Sequence, residues 1–221
     1  MSKKAWSYSG IKSYQQCPKK HYNLKVIKKY VEPETEAMLY GTAFHEAAEF
    51  YVQGTAPLDP RFEFARKLFD GIKKLEGTKY CEYELGVTED FRPCGFYDPE
   101  AWFRGIADVL VINGKTAKVM DYKTGKSAKY ADADQLELMA LAIFEHFPEV
   151  EKVEGRLLFV IANAKVKASY FAKDKKDLWL RWITAHNQLQ KSFANGIWNP
   201  RTSGLCRAHC PVLECPHNGR N

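Results

Sequence analysis

Apolar and polar residues alternate along two neighbouring runs, residues 102–112 and 115–123, with Asn113-Gly114 between them. A period of two predicts half-buried strands. Asn-Gly between such runs predicts a two-residue hairpin, because both central residues of a type I′ turn take positive φ. This register sets Ile112 against Lys115, Leu110 against Ala117, Asp108 against Val119 and Ile106 against Asp121. Opposed residues share a face and successive residues alternate, so Asp108, Val119, Asp121 and Lys123 are expected to point the same way. The two carboxylates become diagonal neighbours, roughly 7 to 8 Å apart. Lys123 lies further along, so the strand carrying Asp121 is expected to bend or twist to bring it back.

Elsewhere the period changes to that of helices. Residues 9–16 read as a short helix stopped before Pro18, and Phe44, Ala47, Ala48 and Tyr51 follow helical spacing over residues 41–52. Amphipathic helices are expected over 61–75 and 132–147, with a strand over 80–87. A buried strand over 155–162 pairs with 167–171, and a long helix over 174–195 is capped by Asp174 and Gly196. Helix, strand, hairpin, helix, strand, strand, helix is the order of an α/β fold with a mixed sheet and helices on its faces.

At 221 residues, 45% hydrophobic and 14% aromatic, the chain can bury one substantial core. No apolar stretch of signal-peptide length follows the charged start at residues 1–4. The longest apolar run, residues 157–164, falls short of the roughly 20 residues that cross a bilayer. A soluble, cytoplasmic protein with no membrane association is expected. Thirty-three Lys plus Arg against 27 Asp plus Glu give +6, a balance compatible with a polyanionic partner. Lysines cluster at positions 19, 20, 25, 28 and 29 and again at 165, 167, 173, 175 and 176. Ordinary solvated surface accounts for them equally well.

Two acids and a lysine on one strand face have no reason in apolar packing. Either the face is solvated, with a surface ion pair worth about 0 to 1 kcal/mol, or a cation lies between the carboxylates. His45 and Glu49 stand one helical turn apart on the helix over 41–52, and Gln135 opens the helix after the hairpin. Gly41 to His45, then Gly105-Ile-Ala-Asp108, then Asp121-Tyr-Lys123-Thr-Gly125, then Gln135, resemble in order the motifs of the RecB-like branch of the PD-(D/E)XK nuclease superfamily. The resemblance implies a restriction-endonuclease-like mixed central sheet flanked by helices. It implies Mg²⁺ or Mn²⁺ held by Asp108 and Asp121, with His45 and the Tyr122 carbonyl as further ligands. Lys123 then positions or helps activate the attacking water, Gln135 supports the site and touches the substrate strand, and Glu49 supports His45. One departure is Met139, one turn after Gln135, where members of this branch often carry an aromatic residue.

Three cysteines, Cys206, Cys210 and Cys215, lie in a tail without helical or strand period, and read as metal ligands. A cytoplasmic setting argues against a disulfide framework, and Cys81 and Cys94 read as packing or surface residues. Cys17-Pro18 resembles the first cysteine of iron–sulfur nucleases of the AddB and CRISPR-associated types. That likeness implies a [4Fe–4S] cluster on Cys17, Cys206, Cys210 and Cys215, joining the N- and C-terminal segments. The alternative is a structural Zn²⁺ on three or four cysteines, with His209 or His217 as a ligand, since zinc accepts both donors. The resulting expectation is a single nuclease domain over 1–221. It comprises an N-terminal helical segment (1–40), a nuclease core (41–172), a long helix (173–198) and a cysteine-rich tail (199–221). By resemblance the chain is a stand-alone DNA exonuclease of phage type, acting on single strands or duplex ends in the host cytoplasm. A helicase or recombinase partner is left open. A non-catalytic DNA-binding scaffold of the same fold and an RNA nuclease are the alternatives.

Overall fold

Ile112 pairs with Ala117, Leu110 with Val119 and Val109 with Met120, so the expected hairpin forms with every partner moved two residues along. Asn113 stays in the strand, paired with Thr116, and the two-residue loop is Gly114-Lys115. Gly114 takes φ +54 while Asn113 keeps a negative φ, the preference of a hairpin with glycine at its first central position. A shift of two preserves which face each side chain occupies.

This computed structural model describes residues 5–32, 34–129 and 131–220; the charged start at residues 1–4 lies outside them. In chain order the elements are α1 (Tyr8–Gln16), α2 (Pro18–His21), α3 (Glu36–Gln53), α4 (Arg66–Lys73), β1 (Thr78–Thr88), β2 (Pro93–Cys94), β3 (Ala101–Asn113), β4 (Thr116–Lys123), α5 (Asp134–His146), β5 (Lys152–Phe159), β6 (Ala164–Phe171) and α6 (Lys175–Asn195). The chain divides into two compact units, one built on Thr35–Leu178 and the other on Trp6–Glu34 with Trp179–Asn221.

The first unit holds a six-stranded sheet in the order β2-β1-β3-β4-β5-β6. β4 and β5 are parallel and every other pair is antiparallel, so the sheet is mixed. A parallel pair needs a crossover, and α5 supplies it. Phe44, Ala48 and Val52 of α3 and Phe69 and Ile72 of α4 pack on Val109, Val111, Met120 and Tyr122. On α5, Leu136 to Phe144 are buried almost without interruption. Two glycines let α5 approach the sheet. A Cβ at Gly155 would stand 3.0 Å from the Leu136 Cβ, and one at Gly105 would stand 2.2 Å from the Met139 Cε. Met139 thus lies over Gly105.

Thr35 caps α3 by accepting from the Met38 N–H at 3.3 Å, and Gly54 ends it in the left-handed region. The helix expected over 61–75 is a 3₁₀ turn (Pro60–Ala65) followed by α4, because Phe62 leaves helical geometry at φ −113°. No described helix is long and apolar enough to cross a membrane.

The second unit contains no strand among its described residues. Trp6 stacks on Trp182 and His186, and Trp198 stacks on His21 and Tyr22. The Tyr14 hydroxyl bridges the Ser192 Oγ at 2.8 Å and the Gln188 carbonyl at 2.9 Å. Asn218, buried in the tail, donates to the carbonyls of Val212 and Cys210.

Candidate active site

β3 and β4 part company just past Val109 and Met120, the last pair of their ladder. One further step of that register would set Asp108 against Asp121. β4 instead keeps its pairing with β5 as far as Lys123 with Phe159, and β3 keeps pairing with β1. A wedge opens between two otherwise continuous strands, and the Asp108 side chain fills it. Its Oδ2 accepts the Tyr122 N–H at 2.7 Å, which leaves that buried donor satisfied where no strand partner reaches it.

Asp108 and Asp121 are 8% and 7% exposed, a costly placement for two carboxylates unless they are compensated. Lys123 places its Nζ 2.7 Å from the Asp121 Oδ2 and 2.9 Å from the Gln135 Oε1, while the Gln135 amide donates to the Asp121 Oδ1. Gln135, in the first turn of α5, thus ties the helix to the end of β4. The reach back to the carboxylates comes from the long Lys123 side chain, with β4 still in register with β5. Gly41 serves the same corner, since a Cβ there would stand 3.3 Å from the Thr124 Oγ1.

On α3, His45 brings its Nδ1 within 3.3 Å of the Asp108 Oδ2 and 3.9 Å of the Glu82 Oε1. Burial pushes the imidazole pKa down, but hydrogen bonds to Asp108 and Glu82 and the charges of Asp108 and Asp121 outweigh it and raise the pKa to about 10. Burial, then the neighbouring Asp108 charge, lifts the Asp121 carboxyl above the carboxylate range, with Lys123 and His45 only partly offsetting them. The two carboxylates and Glu82 set up a negative potential at the imidazole. The Asp121 Oδ2 is buried and meets the Lys123 ammonium as an ion pair, outside hydrogen-bond geometry. Carboxylate oxygens with one imidazole are a donor set that suits a hard divalent ion.

The structure therefore brings together Asp108, Asp121, Lys123, Gln135 and His45. Tyr122 lies among them, its ring edge-on to His45 at 5.9 Å. Glu49 instead accepts from Gln53 at 3.1 Å. Glu82 was missed by sequence reasoning, although His45, Glu82 and Asp108 have ligand atoms within 4.8 Å of one another. One signal was there: Tyr80 stands next to Cys81, out of step with the alternation of Cys81, Tyr83 and Leu85, a phase slip that marks an irregular strand.

In the second unit, the Cys17 Sγ accepts the N–H groups of Lys20 and Arg201, each at 3.4 Å, and the Cys206 Sγ accepts that of Ser203 at 3.5 Å. Cys215 is buried. None of the six cysteines forms a disulfide.

No curated protein matches the sequence. Among solved structures, an Eubacterium rectale protein provisionally designated an exonuclease has a TM-score of 0.53 and 13% identity, over 97% of this chain and 91% of that one. The protein SSO0001 aligns over 96% of this chain and 85% of that one, with a TM-score of 0.49 and 15% identity. The first likeness concerns the fold alone. A family profile for the PD-(D/E)XK nuclease superfamily matches residues 5–215, a span that includes both carboxylates, Lys123 and His45, and on that match the chain belongs to the PD-(D/E)XK nuclease superfamily.

Proposed function

We propose that this protein is a divalent-metal-dependent deoxyribonuclease of the RecB-like branch, an exonuclease acting on single strands or duplex ends. The observation that carries the reading is the convergence of Asp108, Asp121, Lys123, Gln135 and His45 where β3 and β4 separate. Asp108, Asp121 and His45, with the Tyr122 carbonyl, would hold Mg²⁺ or Mn²⁺. Such an ion stabilises charge on phosphate during in-line displacement and acidifies water. Lys123 sits beside the carboxylates, where its ammonium orients the attacking water and offsets charge on the scissile phosphate. Gln135 holds both Lys123 and Asp121 in place. Water adds to phosphorus, one phosphoester bond breaks, and a phosphate monoester and an alcohol leave.

The cysteines receive a [4Fe–4S] cluster in this reading. The likeness of Cys17-Pro18 and the three tail cysteines to those of iron–sulfur nucleases supports this choice, and all-thiolate ligation by four cysteines is what such a cluster takes. Backbone N–H groups aimed at the Cys17 and Cys206 sulfurs suit thiolates as well. Anaerobically purified protein is expected to be brown with absorption near about 400 nm; a colourless, zinc-loaded protein overturns this part. A place in the cytoplasm, the host's if the gene is carried by a phage, accords with such a cluster.

The activity test uses labelled single- and double-stranded DNA, linear, end-blocked or circular, with Mg²⁺ or Mn²⁺ and with chelator. Degradation of open linear DNA alone, lost in chelator and in Asp108→Ala and Lys123→Ala, is the expected outcome. Equal degradation by wild type and both variants defeats the site assignment, and cleavage of circles makes the enzyme an endonuclease. Binding without cleavage under every condition identifies a DNA-binding scaffold.

A further inference from the structure

Glu82 has φ +47 in the middle of β1, one of four non-glycine residues with positive φ among those described. A residue with a Cβ is unfavourable there, and such strain persists only where surrounding structure imposes it. The consequence is visible along the strand. Tyr80 and Tyr83, three residues apart, would face opposite ways in a regular strand, yet their rings stand 4.8 Å apart and both pack on Phe147. Cys81 turns into the core beneath α3 and α4. Glu82 absorbs the reversal.

Its position is also specific. Cys81 pairs with Val109 and Tyr83 with Ala107, so Glu82 stands opposite Asp108 without a ladder bond of its own. Its carboxylate lies 3.9 Å from the His45 Nδ1, the contact that helps raise the imidazole pKa. Both oxygens of Asp121 are engaged by Gln135 and Lys123. The group of ligand atoms close enough to share one ion is His45, Glu82 and Asp108. Beside them opens a cavity of about 450 Å³ lined by Gly41, Thr42, His45, Glu46, Glu49 and Glu82, an acidic pocket roomy enough for a hydrated cation.

We propose that Glu82 is a cation ligand, which completes with His45 and Asp108 a divalent-metal site bordering this cavity, and that the left-handed step in β1 serves to deliver it. This deepens the reading of the site as a metal-dependent nuclease centre and rests on it. A carboxylate beside His45 and Asp108 adds a ligand to the set of Asp108, Asp121, His45 and the Tyr122 carbonyl, and it leaves the Asp121 contacts with Lys123 and Gln135 in place.

The test measures Mn²⁺ binding by calorimetry and by the EPR signal of the free ion, for wild type, Glu82→Gln, Glu82→Gly and the exposed neighbour Glu84→Gln. About ten-fold or greater loss of Mn²⁺ affinity is expected in both Glu82 variants, with Glu84→Gln unchanged. Glycine takes positive φ without penalty, so Glu82→Gly is expected to melt at or above the wild-type temperature in chelator. That outcome separates a ligand kept at a cost to stability from a structural residue, whose loss would lower the melting temperature and leave affinity alone. Glu82 variants that bind Mn²⁺ as wild type does, beside a wild type that degrades DNA, overturn this inference and leave the nuclease reading standing. A wild type that neither binds Mn²⁺ nor cleaves DNA overturns both.

Discussion

Phe44, Phe62, Phe69 and Tyr122 close one face of a six-stranded sheet in the unit built on Thr35–Leu178, whereas the unit formed by the chain ends has no strand among its described residues. The ends are ordered by rings and short bonds instead: Trp6 on Trp182, Trp198 on Tyr22, Asn218 on the Val212 carbonyl. Backbone ladders and a continuous apolar face need no cofactor. A tail of turns with Cys206, Cys210 and Cys215 buries little beyond Val212, Cys215 and Asn218, and in the proposed reading its thiols would hold a cluster. The difference separates a unit held by ladders and a broad apolar face from one held by a few ring contacts and polar bonds.

With the cluster as proposed, the largest expected effect comes from removing it, since a structural metal site contributes on the order of 10 kcal/mol to folding. Four of the five tryptophans, Trp6, Trp179, Trp182 and Trp198, belong to the unit of chain ends, so tryptophan emission reports mainly on it. Cys17→Ala is expected to shift that emission to the red and expose the tail to protease, with the β-sheet far-UV signal retained. Loss of the sheet signal in parallel would show that the first unit does not stand alone.

Asp108→Ala should do the reverse. Nuclease activity is expected to fall by more than about a hundred-fold, with tryptophan emission unchanged. Removing a buried carboxylate from an acidic cluster relieves repulsion, so the metal-free variant is expected to melt no lower than wild type despite the lost bond to Tyr122. A melting point lowered well below wild type would make Asp108 chiefly a structural link between β3 and β4.

Much of the first unit was legible because period-two alternation fixes faces. The predicted hairpin register was two residues out, yet Asp108, Asp121 and Lys123 still came together, since an even shift preserves sides. Alternation says nothing of where two strands separate, so the wedge that receives Asp108 was invisible. Glu82 escaped for a related reason: a single left-handed residue reverses the faces of β1 while leaving its register with β3 unchanged. In the other unit Cys17 was singled out by resemblance. Trp198 and Asn218, which do much of the packing there, have no period to betray them.

A smaller effect probes the first unit's core. At Gly155 an added Cβ would meet the Leu136 Cβ at 3.0 Å, a contact between rigid parts of α5 and β5. Gly155→Ala is expected to cost about 1 to 3 kcal/mol through overpacking, read as a lower denaturant midpoint of the sheet signal. An unchanged midpoint would mean that α5 rides loosely on β5, and that Gln135 is positioned by its bonds alone.

At neutral pH the smallest effect belongs to the chain ends, because it grows only with acid. His21 lies stacked on Trp198 and edge-on to Tyr14, with its Nδ1 buried and unpartnered. Burial, then the charge of Lys25, lowers its pKa to about 4 from 6.5. The folded state thus favours the neutral ring while the unfolded chain takes up a proton near pH 6.5. Stability contributed by the neutral ring is fully present above that pH, declines as pH falls from 6.5 towards 4, and changes no further below the folded value. His21→Phe keeps the aromatic packing and cannot titrate. Melting followed by tryptophan emission should therefore show wild type losing stability relative to His21→Phe between pH 6.5 and 4, with no divergence between pH 7 and 8. Parallel curves across the whole range would mean that His21 titrates as an exposed histidine, and that the ring cluster around Trp198 is open to water.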